Sequence, residues 1–307
     1  MKTLFVSMVV LLNCIAPLCA QNAVKITYER NSEREYVFYA ENIEHAPYSV
    51  KILFEKLDNL EGAVSVGFPY IKVVENGKHE LFKLKPINRE SASDFNYSYS
   101  SAKGNYRAKV DTDFVYLLPV GVNKKTSPRR VTALDNYLKK AKKQRTIGFA
   151  FNMEKGDTVY ASRSGTVTDV LDNSASSTDN KLYAANENHV ELLQRDGSFA
   201  KYTLFQDNGI FVKEGDFVYA GQPLGIIGAD NYANGSHVRM IVYYLTKAEN
   251  PDFNKTFKYN NFIPVFHLAS GKDERPDSKG AYVSEHPQEY ILNDLTKSQK
   301  KKYLKTR

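Results

Sequence analysis

The chain has 307 residues, with 42 Lys and Arg against 35 Asp and Glu, for a formal net charge of +7. Its only cysteines, Cys14 and Cys19, fall in the first 20 residues, so the remainder can hold neither a disulfide framework nor a cysteine-based metal site. The length suits about two domains, and the positive balance suits anionic partners without speaking to the fold.

Met1 and Lys2 precede an apolar run from Leu4 to Leu12, and Leu18, Cys19 and Ala20 precede Gln21. This reads as a secretory signal peptide over residues 1–20 with cleavage after Ala20, too short in its apolar core for a membrane span. The expectation is an exported protein, periplasmic or extracellular, with no transmembrane segment. Lipid modification at Cys19 is the alternative, and the large Leu18 before it fits that badly.

Residues 21–120 carry short strand-like runs, VKITYE, REYVFYAEN, YSVKILFE, ELFKLK, FNYSYS and FVYLLPV, separated by Gly, Asn, Asp and Pro. In YSVKILFE, Tyr48, Val50, Ile52 and Phe54 alternate with a mixed second face. At least six such runs without a convincing helix predict an antiparallel, immunoglobulin-like β-sandwich. Its Tyr and Phe residues are either core and cross-strand pairs or a glycan-binding face.

Residues 121–146 form a basic linker. Lys124, Lys125, Arg129, Arg130, Lys139, Lys140, Lys142, Lys143 and Arg145 stand there against Asp135 alone. TALDNYLKKAKK has near-helical apolar spacing and basic residues at its end, which suits the negative end of a helix dipole. Export argues against nucleic acid as its partner. A solvated linker helix and a cover over a neighbouring groove are the two readings.

Residues 147–269 contain a duplicated string. Gly156, Asp157, Val159, Tyr160 and Ala161 recur 59 residues later as Gly215, Asp216, Val218, Tyr219 and Ala220. Each copy reads as a Gly-Asp turn feeding an alternating strand, the punctuation of a compact β-barrel made of duplicated hairpins. LDNSASSTDNKLYAANEN, from Leu171 to Asn188, is a polar loop, and GADNYANGSHV leads into a last strand. Residues 270–307 read as a polar basic tail, with a weak helical pattern through Tyr290, Ile291, Leu295 and Tyr303 and a lysine-rich end.

TIGFAFNMEKGDTVYASRSGTVTDV, HVELLQRDGSFAKYTLFQDNGIFVKEGDFVYAGQPLGIIG and GSHVRMIVYY together resemble the lysostaphin-type, or LytM-like, zinc endopeptidases, over roughly a third of the chain. The resemblance implies a duplicated-hybrid-motif β-barrel that cleaves peptidoglycan cross-links. It also implies a zinc ion on a His, an Asp and the second His of His-x-His, with two further histidines assisting a bound water.

On this chain the family's Asp falls on Gly148, its assisting His on Leu204, and its His-x-His pair on His237 and Arg239. No histidine occurs between His79 and His189, where the first ligand belongs. Glycine has no ligand atom, and arginine stays protonated and offers no lone pair. The expectation is therefore a pseudoenzyme with no metal and no catalytic residue.

Its former groove, marked by Gly148, Leu204, His237 and Arg239, would bind peptidoglycan or a partner wall hydrolase. His237, Arg239 and Tyr202 are the candidate ligand-binding residues, Arg239 holding a carboxylate or phosphate bidentately or else pairing with a nearby acid. The alternative is a zinc endopeptidase with a non-standard set drawn from His237, His189, Asp230 and Asp207. A lipoyl-type carrier needs a lysine on a tight hairpin, and the expected place has none.

Overall fold

The structure is a computed structural model and describes residues 23–132, 146–173, 187–228, 232, 235–249 and 256–305. The expected signal peptide and nearly all of the expected linker helix lie outside those residues. The protein is mainly β. Among the described residues, no helix is long and apolar enough to cross a membrane.

Seven antiparallel strands build the first unit: β1 (Val24–Arg30), β2 (Tyr36–Asn42), β3 (Tyr48–Asp58), β4 (Leu60–Gly62), β5 (Tyr70–Val74), β6 (Gly77–Pro86) and β7 (Asp94–Lys103). They form two sheets, ordered β1-β2-β6-β4 and β5-β3-β7. The alternating residues Val24, Ile26, Phe38 and Ala40 of one sheet meet Val50, Ile52 and Phe54 of the other in a shared core.

The division into four and three strands matches an immunoglobulin constant domain in number only: β6 lies between β2 and β4 where the fifth strand belongs, and β3 is central in the smaller sheet where the sixth belongs. The short strands β4 and β5 carried too little alternation to be read from sequence. Most of the aromatics weighed as a glycan-binding face point inward: Phe38, Phe54 and Phe82 are buried, with Phe38 stacked on Phe82 at 4.8 Å. Tyr28 remains half exposed, edge-on to Phe95.

FVYLLPV does not close this sandwich. It carries β8 (Val115–Leu117), and Tyr116, Leu118 and Val120 bury themselves in the second core. An apolar run of seven residues states that it is buried, not in which core, and here the chain has already left the first unit at Gly104.

Next come β9 (Lys125–Thr126) and β10 (Pro128–Thr132), so the first part of the expected linker is strand rather than connector. The barrel itself comprises β11 (Thr146–Asn152), β12 (Thr158–Tyr160), β13 (Gly165–Leu171), β14 (His189–Leu193), β15 (Phe199–Thr203), β16 (Phe205–Ile210), β17 (Phe217–Val218), β18 (Pro223–Ile227) and β19 (His237–Lys247). After it follow β20 (Phe257–Phe262), β21 (Val265–His267), β22 (Asp273–Glu274) and β23 (Tyr282–Val283).

The large sheet runs β10-β11-β19-β15-β14-β13-β17 with β20 also on β19, and β12-β18-β16 form a smaller sheet. Between them lies a core that includes Phe149, Phe151, Val190, Leu192, Tyr202, Val238 and Met240. The duplicated turns are alike in chemistry. Gly156 and Gly215 both take φ of +87°, which favours glycine. Asp157 accepts from the Glu154 amide and Asp216 from the Lys213 amide, at 3.1 and 3.0 Å.

The residues expected as a polar tail are packed on the barrel. β21 pairs in parallel with β8, and β23 pairs with β9. Helices α1 (Gln288–Asn293) and α2 (Lys297–Lys305) follow, and Ile291, Leu295 and Tyr303 bury against Leu117 and Ala220. The sequence TKSQ is a capping box: Thr296 Oγ1 accepts from the Gln299 amide, and Gln299 Oε1 accepts from the Thr296 amide. The weak helical spacing was therefore a docked face, too short to stand out against its lysines.

Candidate functional site at the expected metal position

Register decides what shares the outer face of the large sheet. On β11, Gly148 pairs with Ile241 and Ala150 with Arg239, while Phe149 and Phe151 go to the core. On β15, Thr203 pairs with Arg239 on one side and His189 on the other, while Tyr202 pairs with Met240 and Val190 on the core side. Because side chains alternate across a strand, Gly148, Ala150, Thr203, His189, His237 and Arg239 lie on one face. Arg129 of β10, opposite Ala150, joins them.

Arg239 is mostly buried and ion-paired: its Nη1 lies 2.7 Å from Glu187 Oε1. The Tyr232 hydroxyl donates to the same oxygen at 2.9 Å, and the Arg239 guanidinium sits 5.1 Å from the Tyr232 ring centre. The Tyr232 ring also meets His237 edge-on at 6.0 Å. His237 is 1% exposed, and its Nδ1 donates to the Gly235 carbonyl at 2.6 Å. Burial, the largest influence, together with the charges of Arg239 and Arg129, lowers its pKa to about 4, so the ring is neutral near pH 7. Arg129 is itself pushed down, by burial first and by Arg239 second.

The remaining candidates are placed differently from the sequence expectation. Tyr202 is fully buried, and its hydroxyl accepts the Ser162 amide at 2.9 Å, so it faces the core and has no access to a groove. The alternation of β15 sends it inward once Thr203 faces outward. Leu204 is 3% exposed and part of the core, with φ of +82°. A branched side chain in that region is strained by roughly 1–3 kcal/mol, held here by bonds from its amide to Asn188 O and from the Gly228 amide to its carbonyl.

His189 is engaged on both ring nitrogens, with Asp169 at 2.9 Å and the Glu187 carbonyl at 2.8 Å. Asp207 is exposed, and Asp230 lies outside the described residues.

Zinc does not fit this set of residues. A Cβ added at Gly148 would overlap the Met240 carbonyl oxygen and crowd Ile241, so the two strands are closed over the place where a carboxylate ligand would stand. Arg239 offers donors only. Among the described residues, no three His, Asp, Glu or Cys side chains group to hold a metal. An ion pair stands on this face in their stead.

Three neighbours of Arg239 were missed in the sequence. Glu187 closes a polar stretch and Tyr232 sits in a turn, with no spacing that ties either to Arg239. Thr203 is one of the alternating residues of β15, and only the register puts it beside Arg239.

At the other end of the same face, Lys103 of β7 reaches Glu191 at 2.7 Å, where Thr168 Oγ1 also donates at 2.9 Å and the Tyr243 hydroxyl donates to the second oxygen. The sandwich is thereby anchored to the barrel through a buried carboxylate with three donors.

Residues 144–251 match the sequence profile of Peptidase family M23, and this part of the chain is a domain of that family. Among solved structures, the chain is similar to the catalytic domain of the antimicrobial peptidase lysostaphin from Staphylococcus simulans, with 24% identity over 44% of this chain and 87% of that one and a TM-score of 0.27. It is similar to Csd3 from Helicobacter pylori, with 13% identity over 93% of this chain and 77% of that one and a TM-score of 0.31. A putative peptidase M23 from Pseudomonas aeruginosa shares 16% identity over 65% and 83% of the two chains, with a TM-score of 0.30. A comparison with curated proteins gave no match.

Proposed function

We propose that this is an exported, catalytically inactive member of the M23 peptidase family that binds peptidoglycan or a partner wall hydrolase through the face where the family's active site is expected. The observation that carries this reading is the Arg239–Glu187 ion pair at the position of a histidine ligand, beside a Gly148 that leaves no room for a carboxylate. A hydrolytic water needs an open metal position, and a guanidinium cannot provide one. The persistence of the barrel, its duplicated turns and its docked sandwich supports retention for binding. The net charge of +7 supports an anionic wall polymer. Export rests on the first 20 residues.

Two measurements on the purified protein test this. Metal analysis is expected to give well under one zinc per chain, and sedimentation with purified peptidoglycan is expected to retain the protein at low salt and release it as screening increases. One zinc per chain, lost in His237→Gln, together with cleavage of cross-linked peptide, would overturn the pseudoenzyme reading. Absence of retention at low salt would move the partner from the polymer to a protein.

A further inference from the structure

Thr203 is 7% exposed, and its Oγ1 is fully buried without a hydrogen-bond partner among the described residues. An orphaned buried hydroxyl is destabilising and calls for an explanation. It stands directly across the strand pair from Arg239, at the separation where side chains touch. On the same face, Glu187 shows what the spot accepts. One carboxylate oxygen receives both Arg239 Nη1 at 2.7 Å and the Tyr232 hydroxyl at 2.9 Å.

We propose that Arg239, Tyr232 and Thr203 form a carboxylate-recognition site at the expected metal position, with Glu187 as its built-in occupant. The ligand class is a peptide bearing a free C-terminal carboxylate. A guanidinium fork matches a carboxylate in plane and takes it by two parallel bonds. The resident group has that same chemistry, and the Thr203 hydroxyl supplies the further donor. Displacement proceeds by rotation of the Glu187 side chain, because its backbone carbonyl is bonded to His189 and precedes the β14 ladder. An incoming ligand therefore competes with an internal one, and its apparent affinity is reduced by the fraction of time Glu187 holds the site.

This deepens the groove-binding reading and rests on it for the identity of the face. Titration of the full chain with N-acetyl-alanyl-alanine, with its C-terminal amide, and with inorganic phosphate separates the sources of the chemistry. The acid is expected to bind weakly and the amide not at all. Glu187→Gln, which keeps an acceptor for Tyr232, is expected to tighten the acid by about tenfold. Thr203→Val is expected to weaken it with no loss of thermal stability, a separation that a purely structural threonine would not give. Arg239→Lys keeps the charge and loses the fork, and is expected to abolish binding in a folded protein.

Equal binding of acid and amide, tighter binding of phosphate than of the acid, or an unchanged affinity in Glu187→Gln would overturn the proposal. Retention on peptidoglycan with no carboxylate response would sink this inference alone. A carboxylate response without retention would sink the groove-binding reading and leave the site standing.

Discussion

Two ion-paired arginines of the barrel domain stand beside different neighbours. Arg163, 2% exposed in its side chain, has Asp294 at 2.8 Å, Asp196 at 2.9 Å, the Tyr116 hydroxyl at 3.3 Å and the Phe114 ring centre at 3.8 Å. Its two carboxylates come from the β14–β15 turn and from the segment between α1 and α2, so the guanidinium staples the C-terminal helices to the barrel. Around Arg239 stand the Glu187 carboxylate, the Tyr232 ring and Thr203, whose hydroxyl has no partner among the described residues. A group closed on every side holds structure together. Beside Arg239, the Thr203 hydroxyl is a donor that no described residue uses, and a spare buried donor has the makings of a site.

If that contrast is right, the largest effect follows from opening the closed site. Arg163→Met strands two carboxylates that are each about nine-tenths buried, and breaking a buried pair this way costs about 3–5 kcal/mol. Urea unfolding is the measurement, and a loss below about 1 kcal/mol would show that the staple contributes little. Burial works against the Asp196 anion, but Arg163 and Ser198 outweigh it and hold its pKa below the usual carboxylate range. Its contribution is thus present above the unfolded carboxylate value and is lost as pH falls through the lowered one.

Gly148→Asp is the corresponding test on the other side. It restores the family's ligand type in sequence, yet its Cβ would meet the Met240 carbonyl. The expected outcome is destabilisation of about 2–3 kcal/mol, in the range of overpacked sites, with no gain of zinc. Zinc uptake by this single variant would show that the cradle had merely lost a ligand, not closed.

Acid separates the two regions further. His237 has a folded pKa of about 4 against an unfolded value of 6.5. The unfolded chain therefore takes up a proton first as pH falls, and stability declines from about pH 6.5 down to about pH 4 by roughly 3 kcal/mol from this residue. His286, half-buried beside Leu118 O and with its pKa also lowered by desolvation, adds to the same window. Comparing unfolding at pH 7 and 4.5 in the parent and in His237→Gln isolates the first part. Equal slopes would mean that the ring is not buried as a neutral base.

The barrel was legible because turns carry their own chemistry. Gly156 and Gly215 need a positive φ, the aspartates after them close each turn, and the apolar alternation behind them finds a core whatever the partner strand. The family's ligand positions were assigned by resemblance, counted from those same turns. The neighbours of those positions were not. Glu187 reaches Arg239 across 52 residues of chain, and Asp294 reaches Arg163 across 131. Such pairs are made by the folded register and leave no periodic trace. Tyr202 was misjudged by one step of the strand's alternation, enough to send a side chain to the opposite face.

The smallest effect is the most discriminating, because one substitution should act with opposite sign at two threonines. Thr168 and Thr203 are both buried on strands of the large sheet, but Thr168 Oγ1 donates to Glu191 at 2.9 Å and Thr203 Oγ1 has no partner among the described residues. Valine is close in shape and lacks the hydroxyl. At Thr168 it removes one donor from a buried carboxylate and should cost about 1–2 kcal/mol. At Thr203 it removes an unsatisfied group and should leave stability unchanged or raise it by up to about 1 kcal/mol. If both variants lose stability alike, the Thr203 hydroxyl is satisfied in solution, and the contrast between the two arginine environments loses its sharpest support. If the signs differ, the barrel keeps at Thr203 a polar group that its own folding does not need.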